Sequence, residues 1–191
     1  MLTGESIIKH STLRTVFPLL YLTERIRDAD EDMLHTGRVL YLADKHHLLH
    51  YGRTVTRDEY IYIQGGPIGK TALDLSEGWR ESLGRFYRNK FSRTDIDDHL
   101  SQTDREALDF VVATFADMPH GKFYEYIRSL PEWKKVEDLF QLKDDEGKPR
   151  IRFLPVDTRD LLRLPDGDRY FNVSAEHIEM SRQMMLTGEL D

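Results

Sequence analysis

With 191 residues the chain is long enough to bury one sizeable core, and a single domain over residues 1–191 is expected. Its 27 Lys and Arg against 34 Asp and Glu leave a formal charge of −7, with no basic cluster denser than Arg150-Ile-Arg152, which argues against gripping the phosphates of an extended nucleic acid. The absence of cysteine removes disulfides, thiolate catalysis and thiolate zinc sites. Because Met1-Leu-Thr-Gly-Glu-Ser6 lacks a basic-then-apolar leader and no apolar run reaches membrane-spanning length, a soluble, cytoplasmic chain is expected.

Leu13, Val16, Phe17, Leu20 and Tyr21 recur at spacings of three and four, so an amphipathic helix is expected over 12–26, capped by Ser11 or Thr12. Pro18 is awkward inside it, and a start near Phe17 would place the proline in the first turn. Arg27 to Asp32 reads as a polar connection, with Asp30 or Asp32 capping the next helix.

The run from Val39 to Pro67 encodes a helix, a turn, a short strand and a tight turn. Leu40, Tyr41, Leu48 and Leu49 keep helical spacing until Tyr51-Gly52, where glycine can adopt the positive φ that ends a helix. Thr54 to Tyr62 alternates and is rich in β-branched and aromatic residues, as a half-buried strand requires, and Gly65-Gly66-Pro67 is expected to stop it. Asp44 lies on the helix face shared by apolar neighbours, so its carboxylate needs partners. Two roles fit: accepting amides of the 52–66 segment and so tying helix to strand, or a polar anchor at a binding surface.

Trp79, Leu83, Phe86 and Tyr87 form a helical stripe within 71–91, and Ser92 to His99 reads as a polar connection. Thr103-Asp-Arg-Glu106 has capping-box spacing ahead of Leu108, Val111, Val112 and Phe115, in a helix expected to end near Pro119-His-Gly121. Phe123 to Ile127 suggests one or two helical turns. Pro131 is placed to open a helix carrying Trp133, Val136, Leu139 and Phe140. Lys143 to Pro149 is a charged turn between 139–142 and 151–156, a hairpin or surface loop; Pro165-Asp-Gly-Asp168 is a second turn; Ser174 can cap a final helix. The expected class is α+β: mainly α, a compact helical domain with a short β-hairpin or small sheet.

Chemical motifs are weak. Gly65-Gly-Pro-Ile-Gly-Lys-Thr71 imitates a phosphate loop, but the motif's first glycine would fall on Gln64 and Pro67 removes an amide donor. His46 and His50, four apart on one helix, could face a metal, yet there is no His-Glu pair and no third ligand at diagnostic spacing; two histidines on a solvated face is the expectation. No serine sits in a Gly-x-Ser-x-Gly elbow, and His120-Gly121 reads as the close of a helix. No enzyme, metal or cofactor is expected.

The wording of the central run is informative in another way. Leu40, Tyr41, Leu42, Ala43, Asp44, His47, Leu48, Tyr51, Gly52, Arg53, Thr56, Asp58, Tyr60, Gly66, Pro67 and Ile68 resemble the core motif of the Panacea domain, the SocA-like or GepA phage-associated family. The chain departs from it at Thr54 and Arg57, where the family has proline and glycine, and at Gly65, where it has a bulky residue. A weaker likeness runs from Leu100 to Trp133. The resemblance implies an antitoxin of a type II toxin–antitoxin system that neutralises a cognate protein toxin by direct binding, or that delivers it as an adaptor to the ClpXP protease. The alternatives are a phage or mobile-element accessory protein that binds a host factor, and, lower, an enzyme using the His46/His50 face with a metal. Tyr60, Tyr62 and the Gly65–Ile68 turn, including Gly66 and Pro67, are the expected toxin contacts, positioned by Asp44, with His47 and Tyr51 as further motif residues.

Overall fold

The computed structural model describes residues 9–187; Met1 to Ile8 lie outside it. Fourteen-residue α1 (His10–Thr23) contains Pro18 well inside it rather than in its first turn, and Lys9 occupies the N-cap with no side-chain bond. The proline forfeits one backbone donor, but burial of Val16, Phe17, Leu19, Leu20 and Leu22 holds the helix through it.

Helix α2 (Met33–Tyr51) is the axis of the molecule. Asp32 caps it by accepting the His35 amide at 2.9 Å, and Gly52 ends it at φ 75°. Val39 to Ala43 are all buried, so this helix has no solvent stripe and is packed on every side. Around it lie α1, the helices at Gln102–Phe115 and Ala175–Thr187, and a small antiparallel sheet.

That sheet is β1 (Tyr60–Ile63), β2 (Gly66–Gly69) and, later in the chain, β3 (Leu154–Pro155), in the order β2-β1-β3. The strand is shorter than expected. Over 54–59 the β-branched side chains serve local bonds: the Arg57 amide donates to Thr54 Oγ1 at 3.1 Å, and the Asp58 amide to Thr56 Oγ1 at 3.1 Å. Arg57 itself, at φ 53°, breaks the extended path. Nor does Gly65-Gly66-Pro67 simply stop the strand. Gln64-Gly65 makes the turn, and Gly66-Pro67 begins β2, with Pro67 opposite Tyr62 on an edge strand that tolerates a missing donor. Gly66 sits at φ 136°, and a Cβ there would overlap the Ile127 side chain.

The expected helix over 71–91 is divided into α3 (Lys70–Gly78), a wide π-type turn (Trp79–Leu83) and α4 (Gly84–Lys90). Trp79 and Tyr87 are buried, whereas Phe86 is exposed. Residues 92–99 are not a connection: Ser92 and Asp95 cap each other reciprocally and start α5 (Arg93–His99). The next box falls two residues earlier than expected, with Ser101 and Asp104 opening α6 (Gln102–Phe115). His120 opens α7 (His120–Ser129) instead of closing its predecessor.

Pro131 begins α8 (Pro131–Lys134), but the chain tightens into a 3₁₀ turn at Glu137–Gln141, leaving Trp133 and Phe140 buried and Leu139 exposed. The charged turn closes through the Lys143–Pro149 bridge, and the Asp168 carboxylate takes the amides of Tyr170 and Phe171 after the second turn. Helix α9 (Ala175–Thr187) follows Ser174, whose hydroxyl accepts the His177 amide; Ser181 then donates to the Leu49 carbonyl at 3.1 Å, docking α9 on α2. The architecture is α+β, helical with one three-stranded sheet.

Candidate functional site

Three neighbouring positions in α2, Asp44, Lys45 and His47, tie the following loop, α8 and α6 to one helix. Asp44, buried, accepts the Thr56 amide at 2.9 Å and the Thr56 hydroxyl at 2.7 Å, so the loop after α2 hangs on one carboxylate. Burial pushes the Asp44 carboxyl up to about 7, with the two Thr56 bonds pulling the other way.

Lys45 turns to α8. Its ammonium meets Glu132 at 2.9 Å with both side chains fully inaccessible, and the Tyr41 hydroxyl donates to the same carboxylate oxygen at 2.7 Å. Burial lowers the Lys45 pKa while Glu132, and more weakly Asp168 and Asp160, raise it; the buried pair persists because Glu132 is the direct partner of the ammonium.

His47 turns to α6. Its Nδ1 lies 2.8 Å from the Arg53 carbonyl, which can only accept, so Nδ1 carries the proton and Nε2 accepts from the Thr103 hydroxyl at 2.9 Å. Burial drives the imidazole down to about 4 and keeps it neutral. Beside it Arg53 and Asp104 pair at 2.8 Å; burial would raise the Asp104 pKa, but the bonds from Arg53 and Ser101 hold it below the usual carboxylate range.

Arg38 completes the frame by donating to the Gln64 carbonyl at 3.1 Å and the Tyr124 hydroxyl at 3.0 Å, joining the hairpin turn to α7. Tyr60 and Tyr62 are each 3% exposed, and Gly66 and Pro67 are buried with them. Of the side chains expected to form or support the toxin contact, Tyr51 alone is exposed, at 37%, donating to Glu106 at 2.8 Å. Asp44 therefore makes the tie expected of it, while the two tyrosines face inward.

The phosphate-loop imitation is filled by the chain itself. Asp58 takes the Thr71 amide at 2.9 Å and the Thr71 hydroxyl at 2.8 Å, occupying the start of α3 where a phosphate would sit. His46 is not on a solvated face: its ring stacks on Phe110 at 4.0 Å and on His50 at 4.2 Å, and burial drives it down to about 3. Among the described residues no group of three His, Cys, Asp or Glu is arranged to hold a metal, and no helix is long and apolar enough to cross a membrane.

Sequence reasoning missed Lys45 and Glu132, which lie 87 positions apart. The available signal was a lysine that, with Asp44, follows the apolar run Val39–Ala43 on a helix with no solvent stripe.

Large apolar side chains do reach solvent on one irregular stretch: Leu139 at 39%, Leu142 at 46% and Phe153 at 66% exposure. They flank the charged turn, next to edge strand β3.

No curated protein and no solved structure matches the chain. The family model of the antitoxin SocA-like, Panacea domain matches residues 38–134, just over half of the sequence. The match begins at Arg38, which holds the hairpin turn, and ends just beyond Glu132, the partner of Lys45, so it spans the buried frame and stops before the exposed stretch. The chain belongs to the SocA-like antitoxin, Panacea-domain family.

Proposed function

We propose that this chain neutralises a separately encoded protein toxin by direct binding. The observation that carries the reading is the family match over the whole buried frame. In this account Asp44, His47, Tyr60, Tyr62, Gly66 and Pro67 serve the toxin-binding surface from beneath, by fixing the loop and hairpin, and Tyr51 reaches it directly. Contact area and partner choice come from outside the frame, chiefly Leu139, Leu142 and Phe153, whose exposure fits apolar anchors ringed by charge. The balance of −7 favours a toxin more basic than its antitoxin, through faster encounter. A family frame joined to a chain-specific contact stretch also suits a family whose toxins, as the resemblance implies, are diverse.

The test is co-expression with each neighbouring open reading frame, scoring growth and then co-purification. Rescue with a stable complex is the expected result. Rescue without a complex that disappears in cells lacking ClpXP would replace masking by adaptor-driven proteolysis; no toxic neighbour and no rescue would point to an accessory protein acting on a host factor.

A further inference from the structure

Among the concave sites that the antitoxin reading leaves unused, one is lined chiefly by basic side chains. Arg14 of α1, Arg53 and Arg57 of the loop after α2, and His10 and His99 line a cavity of ≈ 260 Å³. Its apolar lining comes from Val55 and Leu100, both buried, and Asp104 also lines it. Asp104 is already matched by Arg53, and Arg14 and Arg57 form no ion pair among the described residues. Three arginines against the one carboxylate of Asp104 leave the site a surplus of two positive charges in a chain of net −7.

The backbone carries a second, independent sign. Arg57 stands at φ 53°, in the left-handed region where a residue with a Cβ is strained and glycine is not. The surroundings impose that conformation: Thr54 Oγ1 receives the Arg57 amide, and Thr56 is clamped on Asp44 at one residue's remove. An arginine kept where it costs backbone strain, with its side chain lining a cationic cavity, has the character of a ligand site and not of a turn optimised for stability.

We propose that this cavity binds a compact, multiply charged oxyanion of the phosphoryl class, either free or as the terminal phosphate group of a nucleotide. Guanidinium forks match phosphate oxygens in bidentate fashion, and two of the three here are available for it. A half-open concavity of this size admits a small ligand from solvent, whereas the flat surface of a protein partner would not fill it. The loop that bears Arg53 and Arg57 is held by Asp44 and His47, so a bound anion would brace the same loop that the buried frame positions.

The experiment is calorimetric titration of the purified full chain, without toxin, using inorganic phosphate, pyrophosphate and ADP at low ionic strength. Wild type is compared with Arg57→Gly and Arg14→Gln. Saturable one-to-one binding is expected, weakened about tenfold or more by each substitution, the size of one lost charge-assisted contact. Arg57→Gly should also melt, without anion, no lower than wild type, because glycine relieves the left-handed backbone; a merely structural arginine would not separate the two readouts. ADP binding as tightly as pyrophosphate identifies a nucleotide-borne group, and pyrophosphate binding without ADP identifies a free anion; either supports the site. No saturation with any of the three, binding that survives both substitutions, or binding of a glutamate-rich peptide in place of the phosphates overturns it.

Discussion

The segment 38–134 and the stretch 137–153 differ in what they do with polar groups. Within the first, one set of polar side chains is turned inward and matched: Asp44 to Thr56, Lys45 to Glu132, His47 to Arg53 and Thr103. In the second, polar side chains face water and pair locally, as Lys148 does with Glu146, while Leu142 and Phe153 are left exposed. The Lys45–Glu132 and His47–Thr103 ties join elements 87 and 56 positions apart, and the shorter Asp44 and His47 bonds fix the loop between them, so cutting one loosens the frame beyond its own neighbourhood. The outer stretch is braced mainly by the Lys143–Pro149 bridge and the short β1–β3 pairing, so its side chains can change with little effect on the fold. A family resemblance concentrated in the first region follows directly, because only there does one residue constrain another across the core.

The largest effect should come from cutting the buried ion pair. Lys45→Met leaves Glu132 charged in the interior and is expected to cost about 3–5 kcal/mol, read as a drop in the urea midpoint. The double change Lys45→Met, Glu132→Leu should recover much of that loss, since no charge then remains uncompensated. If the double variant is no better than the single, the pair is not the tie described here.

Asp44→Ala strands the Thr56 amide and hydroxyl and is expected to cost about 1–3 kcal/mol while abolishing neutralisation of the toxin. Neutralisation retained by a folded variant would detach the loop from function.

The frame also has a pH signature with opposing parts. His46 and His47, held at about 3 and about 4, resist protonation in the fold; their contribution is intact above the unfolded value near 6.5 and is lost as pH falls through the folded values. Asp44, raised to about 7, holds its proton more tightly when folded. Its contribution is fully present below the unfolded value near 4 and is lost as pH rises through 7. Between pH 6.5 and 4 the two histidines outweigh the one carboxylate, so stability should fall on acidification, by about 1 kcal/mol per unit in mid-range. Denaturant melts at stepped pH should show His47→Gln flattening that fall and Asp44→Asn steepening it.

The smallest stability effect belongs to the outer stretch. Leu142→Ser with Phe153→Ser should shift unfolding by about 0.5 kcal/mol or less, as exposed sites do, yet remove rescue of growth. A large loss of stability would erase the contrast between the two regions.

Where the chain could be read from its sequence, the information was local. Asp32 and Gly52 bound α2 because a cap and a left-handed glycine act within one turn, and Asp44 was conspicuous as a carboxylate among apolar neighbours. What escaped depended on distant partners or on close competition between short signals. Thr54 to Asp58 has strand composition, but its hydroxyls bond backbone amides instead, and Asp44 holds the loop they shape. Thr103-Asp-Arg-Glu106 imitates a capping box, but Ser101 and Asp104 win the position and Thr103 is drawn to His47. Tyr60 and Tyr62 read equally well as contacts or as core until β1 is seen covered on both sides of the ladder, by β2 and β3, and both rings are found buried.

The most direct test of the division between frame and contact stretch is backbone hydrogen exchange of the chain alone and bound to the toxin that co-expression identifies. The account predicts slow exchange across α2 and β1 in both states, with new protection on binding concentrated in residues 137–155. New protection confined to the hairpin at 60–69, with 137–155 exchanging as fast as in the free chain, would contradict it.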